Sequence, residues 1–411
     1  MIFERTLYVG VDSGVDEPIA PVGILKLARH GVVESGEFAY GQRYLQSPDA
    51  SALNPNYLPL RSASFALPER RIRDGGALPL TFRDALPDSW GRRVLEAQFG
   101  RTLPDIDVLL LTNADRVGAM VFAEQLPIQS EFSVVDLISL DDLADAVHQL
   151  EFSMEITPEM KRLLQCGGTL GGARPKATFI HDKVRWMAKF PARGDEYDVE
   201  VLEASTLTLA RRCGIEVSEF FVQPLHTGHA LLLRRFDRQG PLAAERRIHF
   251  LSASALLDVP YESSGGSYVE FAQTLRCVSA DPVRDLYQLY LRMVFNLVID
   301  NSDDHVKNHG VLLAGNKGCL LSPAFDLVPQ LTNIGYQQLA IFPGKFESHI
   351  DLAREAAPHF GISQDKANKI IADMISKCEA EFGEILSGLG ANKILVDRGV
   401  LCLQKQKMLI S

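Results

Sequence analysis

From Asp300 to Asn308 the chain reads Asp-Asn-Ser-Asp-Asp-His-Val-Lys-Asn, nine residues holding three carboxylates, two amides, a lysine and a histidine. Asp303 and Asn308 stand in D-x-x-x-x-N spacing, the arrangement in which phosphoryl-transfer loops place a carboxylate that accepts a hydroxyl proton and an amide that reaches a magnesium ion. Eighteen positions beyond Asn308 comes Asp326, flanked by Phe325 and Leu327, a second oxygen donor of the kind a hard cation takes together with phosphates. The plainer alternative is a turn closing a helix, which accounts for Asp300, Asn301 and Ser302 through capping and Asx geometry. It accounts less well for so much polar chemistry between two apolar segments.

Something must hold that loop, and the pattern before it supplies an amphipathic run from Asp281 to Ile299. Further upstream, Gly167-Gly168-Thr169-Leu170-Gly171-Gly172-Ala173-Arg174-Pro175-Lys176 puts four glycines into six residues ahead of a strand. Such a backbone can bring its N–H groups against phosphates, or serve simply as a flexible turn. Residues 184–191 read as a strand with Lys189 near its end, where a lysine is ordinarily a solvated edge residue. A helix then starts near Asp198, carries Glu200 and Glu203, and stops at Cys213-Gly214. A strand lysine followed by a helix glutamate is an arrangement that holds the α- and β-phosphates of a nucleotide.

Taken in order, residues 5–45 read as three strands and 46–59 as polar and proline-rich. Residues 81–99 read as a helix kinked at Pro87, 105–111 as a short helix, and 118–122 as a strand, with Asp115 and Arg116 as a turn and a surface pair. Ser139 caps a helix over 140–150, and Thr157-Pro158 opens another. Strands are expected over 217–222 and 230–238. Helices are expected over 252–258, 267–277, 283–300, 348–358, 364–388 and 392–404, with a short strand pair near 310–321. Strands thus dominate before about residue 250 and helices after it. That is an α+β chain with a two-lobed, protein-kinase-like layout, strand-rich in its N-terminal part and helical in its C-terminal lobe. The divisions expected are 1–125, 126–250 and 251–411.

Composition narrows the class. The 411 residues are 46% hydrophobic and 23% charged, ordinary for a globular protein with a sizeable core. A formal charge of −10 argues against the whole chain binding nucleic acid. The six cysteines are scattered without a C-x-x-C pair, which reads as a reducing compartment with neither a disulfide framework nor a zinc site. With no secretory leader pattern at Met1-Ile2-Phe3-Glu4-Arg5 and no long apolar run, a cytoplasmic location and no membrane association are expected.

Together these stretches resemble the HipA-type serine/threonine kinases, the toxin half of bacterial toxin–antitoxin pairs. The resemblance runs through Phe82, Leu86-Pro87-Asp88-Ser89-Trp90 and Asp115-Arg116-Val117-Gly118-Ala119. It continues through Gly171-Gly172-Ala173-Arg174-Pro175-Lys176, Lys189-Phe190-Pro191, Arg235-Phe236-Asp237-Arg238, Asp303 to Asn308, and Pro323-Ala324-Phe325-Asp326, in that order over nearly the whole chain. It implies ATP and Mg2+ as cofactors, Asp303 as catalytic base, Asn308 and Asp326 as metal ligands, and Lys189 as the phosphate-holding lysine. Glu203, before Glu200, is the implied partner of Lys189, and Lys307 is an accessory catalytic residue. The nucleotide would also meet Thr169, Gly171, Gly172, Ala173, Arg174, Lys176, Arg234, Phe236 and His305. Thr169 falls where the family carries an autophosphorylated hydroxyl, more often a serine, and Arg234 where an acidic residue is common. Asp304 could compete with Asp303, but only Asp303 has the spacing to Asn308. The implied partners are a protein substrate and a HipB-like helix-turn-helix antitoxin, with operator DNA reached only through that antitoxin. A small-molecule or lipid acceptor, or an inactive antitoxin-binding co-repressor, stand as the alternatives.

Overall fold

A computed structural model describes residues 2–14, 19–72, 76–112, 115–129, 139–152 and 173–410. The chain divides into two compact units. The first comprises Met1–Arg185, Asp237–Leu251 and Leu312–Cys319; the second comprises Trp186–Phe236, Ser252–Val311 and Leu320–Ser411. The helix expected to open at Thr157 lies outside the described residues.

The first unit is built on strands β1 (Ile2–Val11), β2 (Pro21–His30), β3 (Val33–Tyr40), β4 (Phe65–Arg71) and β5 (Met120–Ala123). They form one sheet in the order β4-β3-β2-β1-β5, with every pair antiparallel. Its apolar face gathers Leu7, Val9, Leu25, Phe38, Phe82 and Phe122 into one core. Phe38 is fully buried and takes the edges of Tyr40 and Phe82, with ring centroids 5.0 and 5.2 Å away. The segment read as one kinked helix is two helices, Leu80–Arg83 and Ser89–Phe99, because the Pro87 ring cannot continue the first. Trp90 on the second of these is buried, and its indole N–H donates to the Lys176 carbonyl at 2.8 Å, pinning the start of strand Lys176–His181.

Asp115 and Arg116, expected at the surface, are both buried. The Arg116 guanidinium donates to the Thr112 carbonyl (3.2 Å) and hydroxyl (3.0 Å). Asp115 accepts from the Thr178 hydroxyl and pairs with Arg185 at 3.0 Å. Arg185 also meets Glu245 at 3.1 Å, Arg238 meets Asp237 at 2.7 Å, and Arg247 meets Asp12 at 3.2 Å. The backbone of Gly118 sits among them. Its N–H donates to Asp237 (2.7 Å), and its carbonyl accepts from Arg238 (3.1 Å) and Arg247 (3.0 Å). Gly118 has φ +76°, and a Cβ there would lie 3.0 Å from the Phe250 nitrogen, so the position needs glycine on both counts. A short sequence window cannot reveal this cluster, because its members come from separate stretches near residues 12, 115, 180 and 240.

In the second unit, strand Val184–Lys189 pairs antiparallel with His229–Arg234 from Trp186 onward, and His229–Arg234 pairs with Phe220–Pro224. The strand expected over 230–238 stops at Arg234. Arg238–Gln239 instead makes a hairpin with Arg246–Arg247 in the first unit. Asp198 caps the helix Val199–Arg212 by accepting from the Val201 N–H at 3.0 Å. The helices that follow are Ala253–Leu257, Tyr268–Val278, Pro282–Val298, Ile350–Ala356, Gln364–Gly388 and Lys393–Ile410, each close to its expected place. Pro282 occupies the first turn of its helix, where its missing N–H costs nothing. That helix is buried on nearly every side and ends directly at the polar loop. Among the described residues no helix is long and apolar enough to cross a membrane.

Candidate active site

Four elements of the second unit bring polar side chains together: the strand ending at Lys189, the helix Val199–Arg212, the loop 300–308 and the segment after Leu321. Lys189 is not a solvated edge residue; it is 3% exposed. Its amino group bonds both Glu203 oxygens, at 2.8 and 3.0 Å, and also the Asp326 carboxylate. Burial by itself would lower the lysine pKa, but the charges of Asp326 and Glu203 outweigh it and hold the ammonium form well above the usual range. The lysine is therefore charged at every physiological pH. Glu203 is at least as buried as Lys189, whereas the Asp326 side chain is 37% exposed, so one partner faces inward and the other faces solvent.

The loop is held by its neighbours as well as by its own turns. Asp300 has φ +61° and is buried. Its carboxylate accepts from the Thr332 and Asn333 N–H groups at 2.8 and 2.7 Å, and its carbonyl accepts from the Gln330 N–H at 2.9 Å. Burial outweighs those two donors and raises its pKa. Asn301 donates to Asn296 on the preceding helix at 3.1 Å and to the Asp326 carbonyl at 3.4 Å. Asp326 itself has φ +53°, a left-handed conformation that aspartate tolerates better than most residues.

The adjacent carboxylates separate by environment. Asp304 is buried, accepts from the Tyr268 hydroxyl, and lies 3.0 Å from His309 Nε2. Asn296 donates to the same Tyr268 oxygen at 3.0 Å. Asp303 is exposed, and its carboxyl pKa is raised, first by partial desolvation and then by the charges of Asp326 and Asp304, against the opposing pull of His305. Of the two, Asp303 can meet a solvent-borne acceptor and Asp304 is an anchor. Asn308 donates to the Asp303 carbonyl at a long 3.5 Å. Lys307 sits over the Tyr261 ring at 5.1 Å, and His305 lies 5.7 Å from the same ring. His305 Nδ1 is buried without a hydrogen-bond partner among the described residues. Phe236 packs on Phe325 with ring centroids 5.5 Å apart.

Arg234 points to Glu219 at 2.7 Å. Ala173, Arg174 and Lys176 belong to the first unit, Ala173 exposed and Lys176 buried, while Thr169, Gly171 and Gly172 lie outside the described residues. Tyr268 and Asn296 were not legible as site residues: a lone tyrosine at a helix start and an asparagine on an apolar helix carry no spacing signal. Replacing Tyr268 by Phe should leave Asp304 short of a donor and cost about 1–3 kcal/mol. Urea unfolding of Tyr268→Phe, with an unchanged slope, checks this.

Among the described residues no three His, Cys, Asp or Glu side chains cluster as a ready-made metal cage. Asn308 and Asp326 offer two hard oxygen donors, which suits magnesium, an ion that completes its shell with water and phosphate.

Comparison with known proteins bears on this site. A family profile described as "HipA-like C-terminal domain" matches residues 168–382, more than half of the chain. Two curated relatives come from Sinorhizobium fredii. "Putative kinase Y4mE" is 26% identical over 78% of this chain and 76% of its own, and "Putative kinase Y4dM" is 24% identical over 46% and 48%. Among solved structures, the HipA, HipB and operator DNA complex of the Shewanella oneidensis MR-1 toxin–antitoxin system matches with a TM-score of 0.67. That match has 16% identity and covers 98% of this chain and 96% of that one, a likeness of fold.

Proposed function

Since this chain belongs to the family of the HipA-like C-terminal domain, we propose that it is an ATP- and Mg2+-dependent kinase that phosphorylates serine or threonine of a protein. The observation that carries the reading is the Lys189 ammonium held between buried Glu203 and half-exposed Asp326, with the exposed Asp303 on the adjoining loop. Lys189 is the group to hold nucleotide phosphates, because its charge is fixed and its direction is set by Glu203. Asn308 and Asp326 are the residues to hold magnesium, which would supply neutralisation of phosphate charge. Asp303 accepts the proton of the acceptor hydroxyl as its oxygen bonds the γ-phosphorus and the bond from that phosphorus to the departing ADP breaks. Lys307 steadies the loop across Tyr261. Thr169, in the family's modified position, is proposed as a site of autophosphorylation, and a phosphate there would repel those of ATP.

The test is incubation of the purified chain with labelled ATP, Mg2+ and a cell extract. Label on a protein band, released as phosphoserine or phosphothreonine, supports the reading; label only in the small-molecule fraction moves the assignment to a metabolite kinase. No turnover by a folded preparation rejects it. Because a base must be deprotonated, the acid limb of kcat/KM should lie above the ordinary aspartate value of 3.8. A limb at or below that value in a pH–rate profile would remove Asp303 from the role.

We further propose that a helix-turn-helix protein neutralises the kinase and carries it to operator DNA. With a net charge of −10 the chain alone is a poor match for the DNA backbone. Electrophoretic mobility shifts at physiological salt should show DNA binding only when that partner is added.

A further inference from the structure

Helix Lys393–Ile410, at the end of the second unit, reaches back to the loop that carries Asp303. Gln406 on that helix has no exposed surface, and its amide is used at both ends. Nε2 donates to the Leu297 carbonyl at 2.8 Å, and Oε1 accepts from Asn333 Nδ2 at 2.8 Å. Leu297 lies in the last turn of Pro282–Val298, where a helix leaves its carbonyls without intrahelical donors. Asn333 is bound to the terminal helix twice, because its Nδ2 also donates to the Cys402 carbonyl at 3.1 Å. The backbone N–H groups of Asn333 and Thr332 go to the Asp300 carboxylate, and the Cys402 thiol donates to it at 3.7 Å. One buried amide thus ties the end of the helix to the donors that hold Asp300.

We propose that Gln406 is a positioning residue for phosphotransfer, fixing through Leu297 and Asn333 the path of the chain from the helix to Asp303. The inference rests on Asp303 being the proton acceptor. The Asp303 side chain is exposed, so its direction is set by the backbone on either side. On the C-terminal side that backbone is anchored by Asp304, through Tyr268 and His309. On the N-terminal side it is anchored by Asp300, whose φ of +61° is held against the ordinary preference of a residue with a side chain. Loosening the donors to Asp300 releases that conformation, and Asp303 moves with it. The position asks for a group that both donates and accepts, which an amide supplies. Glutamate keeps the bond from Asn333 and loses the one to Leu297; methionine fills similar space and loses both.

The experiment compares the full chain with Gln406→Met, Gln406→Glu and Leu395→Ala. Leu395 is a buried residue of the same helix and serves as the control for stability alone. Two quantities are read: amide hydrogen exchange, and phosphotransfer per folded molecule to the protein labelled in the extract. In Gln406→Met the amides of Asn301, Thr332 and Asn333 should exchange at least about tenfold faster, as a local opening. Its kcat should fall about 10²-fold at unchanged KM for ATP, the scale of a misplacement of about 1 Å. Gln406→Glu should fall between Gln406→Met and wild type in both, and it carries the test if Gln406→Met does not fold. Leu395→Ala should lower the unfolding midpoint and leave both quantities as in wild type. Wild-type exchange at the three amides in a folded Gln406 variant overturns the proposal, whether or not the chain turns over ATP. So does a wild-type kcat in that variant, or an equal loss of kcat in Leu395→Ala. Absence of turnover by the wild-type chain instead removes the kinase reading, and with it the role of Gln406 in phosphotransfer, whatever the exchange shows.

Discussion

Asp303→Asn is expected to lower the rate of phosphotransfer about 10²–10⁴-fold, the range by which a positioned proton acceptor accelerates such steps, with the fold and nucleotide affinity unchanged. The expectation rests on exposure. Asp303 reaches solvent and makes none of the contacts that hold the loop, which fall instead to Asp300, Asn301 and Asp304. The adjacent Asp304→Asn should behave differently, lowering stability through the Tyr268 contact. Single-turnover kinetics beside thermal unfolding separates the two. A Asp303→Asn variant with wild-type single-turnover rates would end the assignment of the base.

The second large effect is expected at Lys189. Lys189→Met removes the cation between two carboxylates, and breaking a buried ion pair from one side typically costs about 3–5 kcal/mol, because the remaining charge is stranded. Glu203, almost fully buried, is the stranded partner; Asp326 can still turn to water. Activity should fall with stability, but for a different reason, since the phosphate-holding charge is gone. The pH dependence gives a signature. The lysine pKa is raised by folding, so its contribution is complete below the ordinary value of 10.5 and fades only as pH climbs through the raised one. The stability gap between wild type and Lys189→Met should therefore stay constant across neutral pH and narrow only in strong alkali. Denaturant midpoints for both proteins over that range check it, and a gap that closes below pH 10.5 would contradict the assignment.

The sequence was most informative where one local rule decides the outcome. Ser139 caps the helix it was expected to cap, a helix starts at Asp198 as expected, and Pro282 opens the longest run of buried helix. The D-x-x-x-x-N spacing marked the loop that the structure places beside Lys189 and Asp326. Strand β4 left no comparable mark: Pro68 and the charged Glu69-Arg70-Arg71 suit an edge strand that alternation does not reveal. Arg116 misleads for a related reason. A charged residue near a glycine reads as a surface turn unless its partners are known; here the guanidinium turns back onto Thr112 and Arg238 reaches its carbonyl from far along the chain. Asp304 lies between these cases, its chemistry visible in the sequence and its anchoring role visible only once Tyr268 is beside it.

The left-handed backbone at Asp300 and Asp326 has a consequence for how a lineage of this protein can drift. Aspartate to glutamate is usually the mildest exchange a carboxylate position can accept. At these two positions it is closed, because a longer side chain pays about 1–2 kcal/mol in that conformation and cannot reach back to the same neighbours. Asparagine, by contrast, is at home there and differs from aspartate by a single base change in the codon. At Asp326 that one step keeps the backbone while removing the charge that meets Lys189. Folded descendants that lack the carboxylate proposed to hold magnesium are therefore a short mutational distance away.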